Sequence, residues 1–349
     1  MLTAALRDLQ WRRRRFLIAI IGTAFVFAMT LVLTGLANGF RVEARNTVNS
    51  FGVDHFLIQA GAVGPFLGSV PFSASEVRAV QRIPGVQAAA PLVYAGVTAL
   101  DNGVPRTMNL FGAPTEGPGM PVMSQGRPPA NQDEIAVSST LGRSLGDDLE
   151  IAKLQLKVVG IVENSTVLAK QPNLFLTVAG AQRLVYGGEP VVSSIGIRGD
   201  PERIPDGFRA VDRQSAIDDM LRPLKVAVDA ITVMAVLLWV VAALIVGSMI
   251  YMSALERVRD FAVFKAVGVP TRSVLAGLAL QSVIVATVAA VLGALLSLVL
   301  APLFPMRVDI PDGAFLLLPA LAILIGLVAS GAGLRRAVTV DPAVAFGGP

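Results

Sequence analysis

The chain has no cysteine and one histidine, and only 15% of its 349 residues are charged. Without cysteine no disulfide can staple the fold, and thiolate zinc sites are excluded. His55 opens an expected strand just after Gly52 and has no second histidine or cysteine to share a metal, so it reads as a surface or partly packed residue. The phosphate-cradling pattern G-x-x-x-x-G-K-[ST] is missing too. Asp147, Asp148 and Glu150 follow a Gly-Asp step but lack the loop spacing and bidentate glutamate of a calcium site, which makes them a solvated turn.

Charge is also missing from four long stretches, Phe16 to Leu36, Ala230 to Leu255, Ser273 to Met306 and Ala314 to Leu334. A bilayer span needs about 20 consecutive apolar residues, whereas buried helices of soluble proteins are shorter and keep a polar face. Each stretch is long enough, and the mean hydropathy of +0.66 agrees. Pro302 and Pro305 end the third helix, leaving a short outer loop with Arg307, Asp309 and Asp312. The first stretch exceeds the core of a secretory signal and reads as a retained anchor. No ionisable residue lies in the interior of a span, Asp229 standing only at the outer edge of the second, which leaves a proton- or sodium-coupled carrier without its usual instrument; Gln281, Ser282 and Thr287 can hydrogen-bond between helices.

Basic residues set orientation. Arg7 and Arg12 to Arg15 precede the first span, Arg257, Arg259, Lys265 and Arg272 separate the second from the third, and Arg335 and Arg336 follow the fourth; only Asp8, Glu256, Asp260 and Asp341 oppose them. Both termini and the 256–272 segment are therefore expected in the cytoplasm of a multi-pass inner or plasma membrane protein. The net charge of +4 is explained by lipid headgroups at that face, without nucleic acid.

The predicted layout is a membrane α-helical chain of four transmembrane helices with a large extracytoplasmic α+β domain inserted between helices 1 and 2. Its parts are an amphipathic cytoplasmic segment 1–15, a first span 16–40, the outer domain 41–225, a second span 226–255, a cytoplasmic helix and loop 256–272, a third span 273–303, an outer loop 304–313, a fourth span 314–334 and a tail 335–349. In the outer domain, Ser73 to Glu76 fits a capping box opening a helix that Ile83-Pro84-Gly85 stops. Val93 to Leu100, Thr107 to Phe111, Leu154 to Val162 and Asn173 to Thr177 read as strands, and the stretches Gly61 to Pro71 and Gly112 to Pro129 as mobile loops.

Residues 256–272 interleave Glu256, Arg257, Arg259, Asp260 and Lys265 with Phe261, Val263 and Phe264, and stop at Gly268-Val-Pro270. A short amphipathic helix on the inner membrane face follows, either anchoring to lipid or serving as a docking knob for a cytoplasmic partner.

From end to end the chain resembles permease subunits of ABC transporters of the MacB/FtsX superfamily, closest in style to the DevC-like branch. The residues that carry the resemblance are the opening from Leu6 to Gly22, Glu256-Arg257 with Lys265-Ala266-Val267-Gly268, and, in the outer domain, Ile83-Pro84-Gly85-Val86, Gly126-Arg127-Pro128 and Val158 to Val162. Gln281 stands where many relatives carry a glutamate, and no ATPase domain is fused to the chain. The resemblance implies a non-catalytic homodimeric permease, with two copies of a separate cytoplasmic ATPase, in a mechanotransmission (type VII) transporter. ATP and magnesium would be used by that partner, and no cofactor would be bound directly. The coupling helix would comprise Glu256, Arg257, Arg259, Asp260, Phe261, Lys265, Ala266 and Gly268. Expected cargo is an amphiphilic or lipidic compound, with membrane lipid and an envelope protein as further partners. The alternative is an FtsX-like signalling subunit that regulates an envelope hydrolase. Amino-acid uptake fits poorly, since importer permeases have more spans and no large outer domain.

Overall fold

Long apolar helices and a sheet-rich body alternate along the chain in the computed structural model, which describes residues 13–101, 104–256 and 270–339. Two compact units are formed, one by Met1–Gly39 with Ala227–Pro349, the other by Phe40–Val226.

The helices of the first unit are α1 (Arg13–Ser50), α5 (Lys225–Glu256), α6 (Thr271–Leu300) and α7 (Asp312–Thr339). Phe16–Ser50, Arg213–Met249 and Ala279–Leu303 are long and apolar enough to cross a membrane, and α7 is apolar over Asp312–Leu324 among the described residues. With no water to bind backbone groups in a bilayer, such runs must be helical. Small residues set their packing: Ala24, Ala242, Ala286, Ala289, Ala290 and Ala322 surround Phe27, Leu31 and Leu318 in one buried cluster. At Gly293 an added Cβ would lie 2.8 Å from both the Ala24 carbonyl oxygen and the Phe27 Cβ, so α6 approaches α1 backbone to backbone. The rings of Phe27 and Trp239 meet at 5.4 Å. α6 ends at Leu300 and passes into a 3-10 turn containing Pro302. Ser282 returns its hydroxyl to Ala279 of its own helix at 2.8 Å, so the expected interhelical bond from this residue is not made.

α1 does not stop at the end of the apolar run. It continues through Arg41, Glu43 and Arg45 to Ser50, and Gly52, at φ +60°, follows its end. The second unit therefore begins with helix rather than strand. Its short strands are β1 (His55–Gln59), β2 (Phe72–Ser73), β5 (Gln125–Gly126), β6 (Glu134–Ser138), β7 (Asp148–Ile151), β9 (Thr166–Val167), β10 (Gln171–Leu176), β11 (Val191–Val192), β12 (Ser194–Gly199) and β13 (Phe208–Asp212); the longer ones are β3 (Val86–Asp101), β4 (Val104–Gly112) and β8 (Leu154–Val162). Three helices complete it, α2 (Val77–Val80), α3 (Val178–Tyr186) and α4 (Arg213–Leu221).

The first half of β3 completes a sheet in the order β13-β1-β12-β3, while its second half joins a ring that runs β3-β4-β10-β6-β8-β7 and closes where Ala99 pairs with Ile151. Met108, Leu110, Ile135, Val137, Leu149, Ile151, Leu156, Val158 and Leu174 share one buried core. In β8 burial alternates at first, Leu156 and Val158 in, Gln155 and Lys157 out, as a strand with one covered face requires. Ser73 does cap the first short helix, accepting from Ser75 N, but that helix is a 3-10 turn followed by one turn of α2.

Candidate functional site

Glu256 closes α5, and α6 begins after Pro270, whose backbone is extended. Arg257, Arg259, Asp260, Phe261, Lys265, Ala266 and Gly268 lie outside the described residues, as do the opening segment through Arg12 and the tail from residue 340.

At the opposite end of the first unit, the loop between α6 and α7 is seated on α1. Asp309 N donates to the Gly35 carbonyl at 2.9 Å, and Asn38 Nδ2 donates to the Asp309 carbonyl at 3.0 Å. Gly39 leaves space for the Arg307 carbonyl, whose oxygen would lie 2.0 Å from an added Cβ; at Gly35 a Cβ would meet Ile310 and Val308 at 2.6 and 2.8 Å. Two glycines four residues apart thus make a groove that accepts a loop, where membrane helices more often accept another helix. Sequence reasoning missed this lock, although the Gly-x-x-x-Gly spacing at the end of the first span was its signal.

In the second unit an aromatic chamber gathers Phe51, Phe56, Phe66, Tyr94, Phe111 and Phe175, with ring centroids from 5.0 Å for Phe51 and Phe111 to 6.1 Å for Phe51 and Phe66. A gap of about 10 Å³, at the threshold for one water, lies against Phe51, Phe66, Tyr94 and Phe111. Phe66 is brought in by a fixed loop: Asp219 on α4 accepts from Phe66 N at 2.9 Å and Leu67 N at 3.0 Å and pairs with Arg222. Arg209, itself exposed, adds bonds to the carbonyls of Ala62 and Val63 at 3.0 and 2.8 Å, so the stretch expected to form a mobile loop is tied to the body by a buried carboxylate and a surface guanidinium.

Burial pushes the Tyr94 hydroxyl up to about 12, and the Asp219 carboxylate adds to the shift. The neutral form is favoured by folding, so this residue's contribution is intact below the ordinary value of 10.0 and is lost as pH rises through about 12. In a tyrosinate absorbance titration the native protein should show a late step near pH 12, absent in Tyr94→Phe, and denaturant should move that step to about 10. A native titration without a late step would contradict the buried placement.

The C-terminal end of α1 carries a second polar group. Glu43 is 1% exposed; its carboxylate accepts from Thr166 Oγ1 and from Lys170 N, both at 3.2 Å. One turn on, Thr47 donates to the Thr166 carbonyl at 3.1 Å and accepts from Asn173 Nδ2 at 3.0 Å.

The outer-domain motifs have local reasons. Gly85 and Gly126 have φ of +86° and +74°, and a Cβ on them would strike the carbonyl oxygens of Asp200 and Val159 at 2.0 and 2.2 Å. Gly126 pairs with Gly160 across β5 and β8. Arg127 holds Glu134 in a double hydrogen bond of 2.6 and 2.7 Å, which keeps that carboxyl down at about 2. No cluster of metal-ligating residues occurs among the described residues, and His55 lies 3.5 Å from Asp200.

Comparisons with known proteins match both halves. The family model for a MacB-like periplasmic core domain matches residues 16–210, and that for an FtsX-like permease C-terminal region matches 232–342. An uncharacterized ABC transporter permease of Mycobacterium tuberculosis is 64% identical over 349 residues, covering 100% of both chains. A Staphylococcus haemolyticus protein named for a hemin transport system permease is 21% identical, covering 99% of each chain. The solved periplasmic region of MacB from Actinobacillus actinomycetemcomitans aligns with a TM-score of 0.35 at 11% identity, over 49% of this chain and 94% of that one.

Proposed function

Since the chain belongs to the MacB/FtsX family of ABC transporter permeases, we propose that it is the four-span membrane subunit of an ATP-driven exporter or extractor of an amphiphilic compound. Two permease copies work with two copies of a separate cytoplasmic ATPase, which binds ATP and magnesium. The termini and the 256–272 segment face that ATPase; the 40–226 unit faces outward.

The observation that carries the transport reading is the union of charge-free spans with a large outer body on one chain, the build needed to act on a membrane-dissolved cargo without an ion path. A relative named for hemin transport fits the same class, since hemin is itself amphiphilic. Self-association is supported by α5: only 11% of its apolar window is buried within the chain, against 56% for α1. A membrane helix so little covered meets lipid or a second copy.

Mild-detergent purification of the tagged chain tests the reading. A stoichiometric P-loop ATPase and cargo-dependent ATP hydrolysis support it, whereas a cell-wall hydrolase that is activated by ATP hydrolysis, with no cargo moved, replaces export with signalling. Glu256→Ala combined with Arg257→Ala is expected to leave insertion intact and to cut permease stimulation of the ATPase by roughly fivefold or more, the lower range of ordinary coupling energies. Unchanged stimulation would remove the segment from the coupling role.

A further inference from the structure

We propose that Glu43 is a positioning residue through which the first helix sets the state of the turn 168–170 on the outer unit. This rests on the permease reading and adds to it a place where helix movement is converted into a change of the sheet.

Three observations converge. The first is the burial of an acid on a helix that runs directly out of the apolar span. Holding a carboxylate at 1% exposure is costly, and an apolar residue of similar size would pack there more simply if only stability were needed. Its bonds go to β9 and to the turn beyond, and Thr47, four residues on and so on the same helix face, adds β9 and β10.

The second is strain at the point of grip. Leu168, Ala169 and Lys170 have φ of 54°, 65° and 62°, a left-handed run with no glycine in it. Side chains crowd the backbone in that region, so such a run persists only where its surroundings hold it. One support is the Lys170 N bond to Glu43, and another is Leu168 packed against the aromatic core.

The third is spare bonding capacity behind the turn. Asn173 lies in register with Asn109 on the parallel neighbour strand, and Asn109 accepts from the Tyr94 hydroxyl at 3.0 Å. Asn109 Nδ2 and Asn173 Oδ1, a donor and an acceptor on adjoining strands, are both buried without a hydrogen-bond partner. Those two groups are what a second arrangement of the strip would use. Withdrawal of Glu43 would release the strained turn and let that strip re-pair, a discrete change rather than a gradual deformation.

The test is hydrogen exchange of the full chain in lipid nanodiscs with its co-purifying ATPase, with and without ATP. In the native protein, nucleotide should change exchange over residues 164–171 at least about fivefold, the scale of ordinary coupling between sites. Glu43→Gln should abolish that response while the ATPase still binds and turns over. Thr47→Ser should retain it, and Thr47→Val should weaken it. Ala169→Gly, which relieves strain without touching Glu43, should also damp the response, and it serves if Glu43→Gln fails to insert.

A nucleotide response at 164–171 that persists in Glu43→Gln overturns the proposal. So does a native complex that hydrolyses ATP and moves elsewhere but not there, and in that case the permease reading stands. Absence of any co-purifying ATPase defeats the permease reading and this proposal with it.

Discussion

Gly39→Val is expected to destabilise the membrane unit by about 3 kcal/mol, because a side chain there must displace backbone rather than a flexible tip. The added Cβ would sit 2.0 Å from the Arg307 carbonyl oxygen and 2.9 Å from its carbon, so the α6–α7 loop must lift from α1. Lifting it breaks the Asp309 N bond to Gly35 and the Asn38 bond to Asp309, each worth about 1 kcal/mol, in addition to the overpacking. Gly22 on the same helix provides the matched control: nothing lies within 4 Å of its would-be Cβ. Gly22→Ala should therefore be neutral or stabilising by up to about 1 kcal/mol, the helix-propensity difference. Thermal unfolding followed by the fluorescence of Trp239, packed on Phe27, distinguishes the two. Equal midpoints for Gly39→Val and Gly22→Ala would show that the loop is not seated on α1.

The apolar stretches were legible because the bilayer forbids alternatives, and β8 because its residues alternate. The far end of α1 was not, since Arg41, Glu43 and Arg45 look like the start of a solvated domain; no glycine or proline stands between Gly39 and Gly52, and that was the available signal. β3 was read only from Val93 because Ala88-Ala-Ala-Pro91 neither alternates nor has strong strand propensity, and it is strand through its pairing with β12. α3 and α4 went unread, though each opens on a capping side chain, Thr177 accepting from Gly180 N and Asp212 from Ser215 N. The two buried acids were illegible for a deeper reason. Glu43 accepts from groups 123 and 127 residues away, and Asp219, besides Arg222 one turn on, from backbone donors 152 and 153 residues away. Such acids look solvated until the fold brings donors to them. The motif glycines, in contrast, were visible as a resemblance before their reason was, namely carbonyl groups lying where a Cβ would be.

Asp219→Ala is expected to cost about 3 kcal/mol of stability in the 40–226 unit, because it strips two backbone donors of their acceptor at about 1–3 kcal/mol each, while the Arg222 side chain, 40% exposed, adds little. The side chain is buried, and its loss leaves Phe66 N and Leu67 N without an acceptor and the Arg222 guanidinium without its carboxylate. The loop would then be left to Arg209 and Arg222, which grip only its carbonyls. Phe66 touches Phe51, Phe56, Tyr94 and Phe111, so freeing it loosens the chamber at its centre. Asp218→Ala, one residue away on the exposed face and bonded to Gln214 at 3.3 Å, should stay within about 0.5 kcal/mol of the parent. Denaturant unfolding of the full chain in detergent reads both. Asp219→Asn supplies an independent check, since removing the negative charge lowers the Tyr94 titration from its raised position near 12 even where stability is retained. If Tyr94 titrates unchanged in Asp219→Asn and Asp219→Ala unfolds with Asp218→Ala, the carboxylate does not face the chamber, and the loop owes its fixed position to Phe66 alone.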